Sequence, residues 1–161
     1  MPNKPFVIVV GSDFSDQAVR ALRAAYEQAK LHAPAELHVI HATVFATSGA
    51  DMAGGVPPFI GAGGLPVPTL EELRDELVKH LDAQLPQLEG FREAAVRVVA
   101  HVLLESPQFA ITRLAEVLEA NLIVVGSHGR HGVARWLLGS VAEAVARQAF
   151  CPVNDVNYCC T

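Results

Sequence analysis

Phe6 to Val10 is an uninterrupted apolar run that stops at Gly11-Ser12-Asp13. A short β-branched and aromatic run ending in turn residues predicts a strand buried on both faces. Ser15 or Asp16 is placed to cap the helix predicted after it. Val19, Leu22, Tyr26 and Ala29 then recur at three and four, the spacing of one helical face, and Pro34 ends that helix. Leu37 to Thr43 is a second apolar run, carrying His38 and His41. Thr69-Leu-Glu-Glu72 has capping-box spacing, and Leu70, Leu73, Leu77, Leu81 and Leu85 line the helical face behind it until Pro86 and Gly90. That stripe is core-facing; it is too short for a coiled-coil seam. Val96, Val98, Ala100 and Val102 alternate with Arg97, Val99 and His101, the period of a strand. Ser106-Pro107 places a cap before a first-turn proline. Ile111, Leu114, Ala115 and Leu118 give the next helical face. Asn121 to Gly126 reads as a buried strand, Val141 to Phe150 as a helix, and Cys151 to Tyr158 as a weak last strand.

Strands and helices thus alternate. Continuous apolar strands in such an order predict an α/β fold, a mostly parallel sheet with helices on both faces. Ligands on these sheets lie at the carboxyl ends of strands. That rule points at Gly11-Ser12-Asp13 and at the glycine-rich segment after Val125. Val44 to Pro68 breaks the pattern: six of its 25 residues are Gly and four are Pro. It reads as an irregular insertion loop, either a lid over a ligand or a connection without function.

Composition narrows the classes. At 161 residues the expectation is one domain, and 51% apolar against 18% charged residues excludes a disordered chain. The balance of 12 basic and 17 acidic residues, with Lys only at positions 4, 30 and 79, disfavours a reader of nucleic-acid backbones. Three cysteines, two of them adjacent at Cys159 and Cys160, exclude a disulfide scaffold and fit a reducing cytoplasm. Those two read as exposed thiols. The first apolar run is too short for a signal peptide, and no run approaches the ~18 residues of a membrane span. The expectation is a soluble, cytoplasmic protein.

The chemistry concentrates in Gly126-Ser-His-Gly129-Arg-His-Gly132-Val-Ala-Arg-Trp-Leu-Leu-Gly139-Ser140. Glycines let backbone amides approach an anion closely, and Gly139-Ser140 opens a helix whose first N–H groups are free. Arg130 and Arg135 add positive charge. The segment is either a phosphate cradle or a surface turn joining strand to helix. The Walker sequence and the dinucleotide G-x-G-x-x-G are both absent. His128 and His131 lack further ligands at metal spacing. Ser127 or Ser140 with His128 and Asp13 lacks the G-x-S-x-G elbow of a hydrolytic nucleophile. Trp136 reads as a packing residue of the segment. Asp13 is either a ligand contact or a brace at the start of the helix.

Gly126-x2-Gly129-x9-Gly139-Ser140 resembles the G-x2-G-x9-G-[ST] signature of the universal stress protein family. Gly11-Ser-Asp-Phe-Ser15, Leu37-His-Val-Ile-His-Ala42 and Leu122-Ile-Val-Val-Gly-Ser-His-Gly-Arg130 resemble that family's corresponding segments. The resemblance runs from Phe6 to Val153. It implies a five-stranded parallel, Rossmann-like sheet of the adenine-nucleotide α-hydrolase kind. It also implies a homodimer and ATP as ligand, with or without Mg²⁺. Carried over by position, Gly126, Gly129, Gly139 and Ser140 hold the phosphates, Ser127 and Val141 supply further contacts, and the charge of Arg130 joins them in the binding site. Gly11, Ser12 and Asp13 lie near the adenosine, and Ala42 lies near the adenine. Asn154 and Asp155 depart from the family's apolar last strand and weaken the usual pairing across the dimer. No efficient catalysis is expected. The competing classes are an adenylating enzyme of the related α-hydrolase type and a nucleotide-free interaction module.

Overall fold

The computed structural model describes residues 4–44, 68–126 and 139–156. Five strands are present: β1 (Phe6–Gly11), β2 (Ala35–Ala42), β3 (Val96–Leu103), β4 (Leu122–Gly126) and β5 (Val153–Val156). Four α-helices among the described residues accompany them: α1 (Asp16–Leu31), α2 (Leu70–Gln84), which runs on into a 3-10 turn at Leu85–Gln87, α3 (Pro107–Val117) and α4 (Ser140–Gln148). The strands form one sheet in the order β3-β2-β1-β4-β5, and every neighbouring pair is parallel.

The alternation within each strand builds two cores. Ile8 and Val10 of β1 and Leu37 and Val39 of β2 face α1 and α2, packing on Ala21, Leu22, Ala25, Tyr26, Leu77 and Leu81. Val7, Val9, Ile40, Ile123 and Val125 point the other way, onto Ala110, Ile111 and Ala115 of α3 and Ala142 and Val145 of α4. Strands covered on both faces have no polar face to show, which is why they read as continuous apolar runs.

Local signals account for most element boundaries. Ser15 caps α1, its side chain accepting from the Ala18 amide at 3.2 Å. The capping box of α2 is complete: the Thr69 amide donates to Glu72 Oε2 at 2.7 Å, and the Glu72 amide donates to Thr69 Oγ1 at 3.2 Å. The Thr69 amide, and after it the Thr69 hydroxyl at 3.0 Å, donate to the Glu72 carboxylate and hold its pKa below the ordinary value.

Some expectations need correction. Leu70 leaves the leucine stripe: it is 48% exposed at the first turn of α2, and burial begins at Leu73. Ser106 makes no side-chain cap, because its own carbonyl already takes the Phe109 and Ala110 amides at 3.1 and 3.0 Å. Asn121 stands just before β4 and exchanges two bonds with Val7. Its side chain accepts the Val7 amide at 2.8 Å, and its own amide donates to the Val7 carbonyl at 2.8 Å. α4 ends at Gln148, with Ala149 extended ahead of Cys151-Pro152. β5 begins only at Val153, yet Asn154 and Asp155 do enter it, in register with Val124 and Val125. No helix among the described residues is long and apolar enough to cross a membrane.

Candidate functional site

The strand order reverses direction at β1. From β1 the chain passes to α1 on one face of the sheet. From β4 it proceeds toward α4 on the other face. The carboxyl ends of β1 and β4 therefore form the switch point of the sheet, the position where open parallel sheets take ligands. Gly11, Ser12, Asp13, Ala42 and Gly126 all stand along this edge. Ser127, Gly129 and Arg130, with His128, His131, Arg135 and Trp136, lie outside the described residues, as do Cys159, Cys160 and residues 45–67 of the insertion.

The loop leaving β1 is tightly specified. The Ser12 amide donates to the Ile40 carbonyl at 2.8 Å. The Ser12 carbonyl accepts from Nδ1 of His41 at 2.8 Å, which assigns the proton to that nitrogen. Asp13 Oδ1 accepts the Ser15 amide at 3.0 Å and the Ser15 hydroxyl at 2.5 Å. The cap itself is thus Ser15, and Asp13 braces it. Phe14 adopts φ of 64°, and its ring packs on His41, with centroids 4.6 Å apart, and edge-on to His80 of α2 at 5.4 Å.

The two glycines at the strand ends differ in kind. A Cβ on Gly11 would lie 2.9 Å from Ile111 Cδ1, the tip of a side chain that can rotate away. A Cβ on Gly126 would lie 3.1 Å from Gln17 Cβ and 3.2 Å from the Gln17 carbonyl carbon and oxygen. The first turn of α1 therefore lies directly on the end of β4. α4 starts with Gly139 as its cap residue and has no side-chain cap; the Gly139 carbonyl accepts the Glu143 amide at 2.9 Å. The amides of Ser140 and Val141 precede that first helical bond and have no acceptor within the helix. Together with the helix dipole they favour an anion. Ala42 ends β2, and its methyl packs with the α3 and α4 core.

Phe14, His41, His80 and Gln17 were not singled out by sequence as site residues. Gln17 Oε1 is buried with no hydrogen-bonding partner among the described residues. No group of three or more His, Cys, Asp or Glu among them is placed to hold a metal.

A separate polar cluster lies on the α3 face of β2 and β3. His38 Nδ1 and His101 Nε2 are 2.9 Å apart, His38 Nε2 is 3.3 Å from Glu36, and Arg97 pairs with Glu36 at 3.3 Å. Burial and the neighbouring His38 push the His101 pKa down. An unfolded histidine titrates near ~6.5, so below that pH the unfolded chain takes up a proton that folded His101 refuses. Its contribution to stability is whole above the unfolded value and falls as pH drops toward the folded one. Urea midpoints at pH 7.5 and 5.5 should therefore separate less in His101→Gln than in the wild type. Equal separations would place the proton uptake elsewhere.

The model of the Universal stress protein family matches residues 6–154. A universal stress protein of Methanocaldococcus jannaschii is 34% identical over 148 residues, covering 91% of this chain and 78% of its own length. Universal stress protein YxiE of Bacillus subtilis is 32% identical over 157 residues, covering 95% and 97%. Among solved structures, universal stress protein UspA from Lactobacillus plantarum shares the fold, with a TM-score of 0.64 at 21% identity over 96% of this chain and 100% of its own. The universal stress protein from Archaeoglobus fulgidus in complex with dAMP aligns with a TM-score of 0.57 at 26% identity, over 98% of this chain and 100% of its own. By sequence over nearly its whole length and by its five-stranded parallel sheet, the chain belongs to the universal stress protein family.

Proposed function

We propose that the protein binds an adenine nucleotide, ATP with or without Mg²⁺, beyond the carboxyl ends of β1 and β4, and acts through nucleotide occupancy as a stress or regulatory protein. The observation that carries this reading is one of place. The G-x2-G-x9-G-S segment starts at Gly126, against the first turn of α1, and ends at the uncapped start of α4. A polyanion set between them meets backbone amides and a helix end, so a net-acidic chain can hold it without a basic surface. The dAMP complex of the Archaeoglobus fulgidus relative supports the same ligand class.

In this reading Gly126, Ser127, Gly129, Arg130, Gly139, Ser140 and Val141 surround the phosphates. Gly11, Ser12 and Asp13 border the adenosine, and Ala42 borders the adenine. The chain is one domain with an insertion at 44–68, works in the cytoplasm and forms a homodimer. The nucleotide stabilises one form by mass action; at 100 times Kd that amounts to ~2.7 kcal/mol.

Calorimetry with ATP and Mg²⁺, beside mass spectrometry of small molecules released on denaturation, tests this. Saturable binding below millimolar nucleotide, lost in Gly129→Val with an unchanged circular dichroism spectrum, is the expected result. No binding at millimolar ATP, or full affinity in the variant, overturns it.

A further inference from the structure

We propose that His41 is a positioning residue for the nucleotide, acting through the carbonyl of Ser12. This rests on the nucleotide reading above.

Beyond Gly11 the chain leaves the sheet. The Ser12 amide still reaches the Ile40 carbonyl, but the Ser12 carbonyl takes its donor from a side chain, the His41 ring at 2.8 Å. A carbonyl at a strand end is ordinarily satisfied by backbone or water, and either would leave the loop freer to turn. His41 is only 8% exposed, so its ring is fixed by its surroundings and can hold the carbonyl in one direction.

The next residues show why that direction matters. Asp13 follows Ser12 and braces Ser15, while Phe14 sits at φ of 64°, a region bulky residues avoid. Such backbone persists only where its surroundings over-determine it. Here three contacts do so: His41 on the Ser12 carbonyl, Asp13 on Ser15, and the Phe14 ring on both His41 and His80. His41 alone takes part in two of them. A loop held this way presents its polar groups to a ligand without first having to be ordered, and such preorganisation raises affinity.

The ring's two contributions can be separated. His41→Ala removes both the hydrogen bond and the packing on Phe14. His41→Asn restores an amide donor near the place of Nδ1–H but supplies no ring to pack on Phe14. ATP affinity by calorimetry should fall about tenfold or more in His41→Ala and return to within about threefold of wild type in His41→Asn, the scale of one hydrogen bond. Long-range proton–nitrogen spectra of the ligand-free wild type should show His41 protonated on Nδ1. Equal affinities for wild type and Ala, or equally weak Ala and Asn variants, overturn the proposal while leaving nucleotide binding intact. Wild-type protein that binds no ATP overturns both.

Discussion

Gly126→Val should cost ~1–3 kcal/mol of folding stability and remove nucleotide binding, whereas Gly11→Ala should cost under ~1.5 kcal/mol of stability. The asymmetry arises from the atoms that each new side chain meets. At Gly126 the first added carbon already lies 3.2 Å from the Gln17 carbonyl, and valine adds two methyls to it. Helix backbone cannot rotate aside as a side chain can. α1 is also seated closely, because Ala21, Ala25 and Ala29 are completely buried against the sheet. The strain must therefore lift the first turn of α1, which carries the Ser15 cap and its Asp13 brace. Lifting it disturbs the strand-end edge at the point where the glycine-rich segment begins. At Gly11 the obstacle is Ile111 Cδ1, and a rotamer change relieves it. Urea unfolding of both variants, with the thermal shift on adding ATP and Mg²⁺, measures the two effects. A Gly11→Ala variant more damaged than Gly126→Val would show that the close approach of α1 is not the reason for glycine at 126.

Much of this edge was legible in the sequence, and the rest was not, for reasons that differ by residue. β1 stood out because both of its faces are buried, so Phe6 to Val10 has no polar gap. The capping box at Thr69 stood out because all of its partners lie within four consecutive residues. The glycine spacing marked Gly126 as a place of close approach. It suggested a ligand as the neighbour, while the neighbour within the fold is the backbone of Gln17, 109 positions back along the chain. His41 carried no local sign, since its partner is the carbonyl of a residue 29 positions earlier. The left-handed Phe14 had none either, because it is held from outside by packing. The His38–His101 pair joins two strands that only the sheet order brings together. Local chemistry can thus be read one element at a time, but contacts between elements need the topology first.

Leu77→Ala should cost ~2–5 kcal/mol, while Leu70→Ala on the same predicted stripe should stay within about 0.5 kcal/mol of wild type. The two residues are seven apart, two helical turns, and periodicity alone treats them alike. Leu77 is completely buried, in the cluster with Leu81, Leu85 and the α1-facing side of the sheet. Truncation there removes transfer energy and leaves a cavity that neighbours fixed to β-strands fill poorly. Leu70 is half exposed, so little apolar surface returns to water when it is shortened. It also follows Thr69, whose bonds to Glu72 hold the start of α2 without help from that side chain. The loss at Leu77 should reach the candidate site as well. His80 stands one turn further along α2 and meets Phe14 edge-on at 5.4 Å, so a loosened α2 withdraws one of the supports of the β1–α1 loop. Urea midpoints at constant slope give the stability difference, and amide exchange at Phe14 and Ser15 reports the loop. Equal losses for Leu70→Ala and Leu77→Ala would mean that α2 is held by its whole leucine face rather than from Leu73 onward. Unchanged exchange at Phe14 in a destabilised Leu77→Ala variant would show that His80 adds nothing to the loop, leaving His41 and Asp13 to hold it.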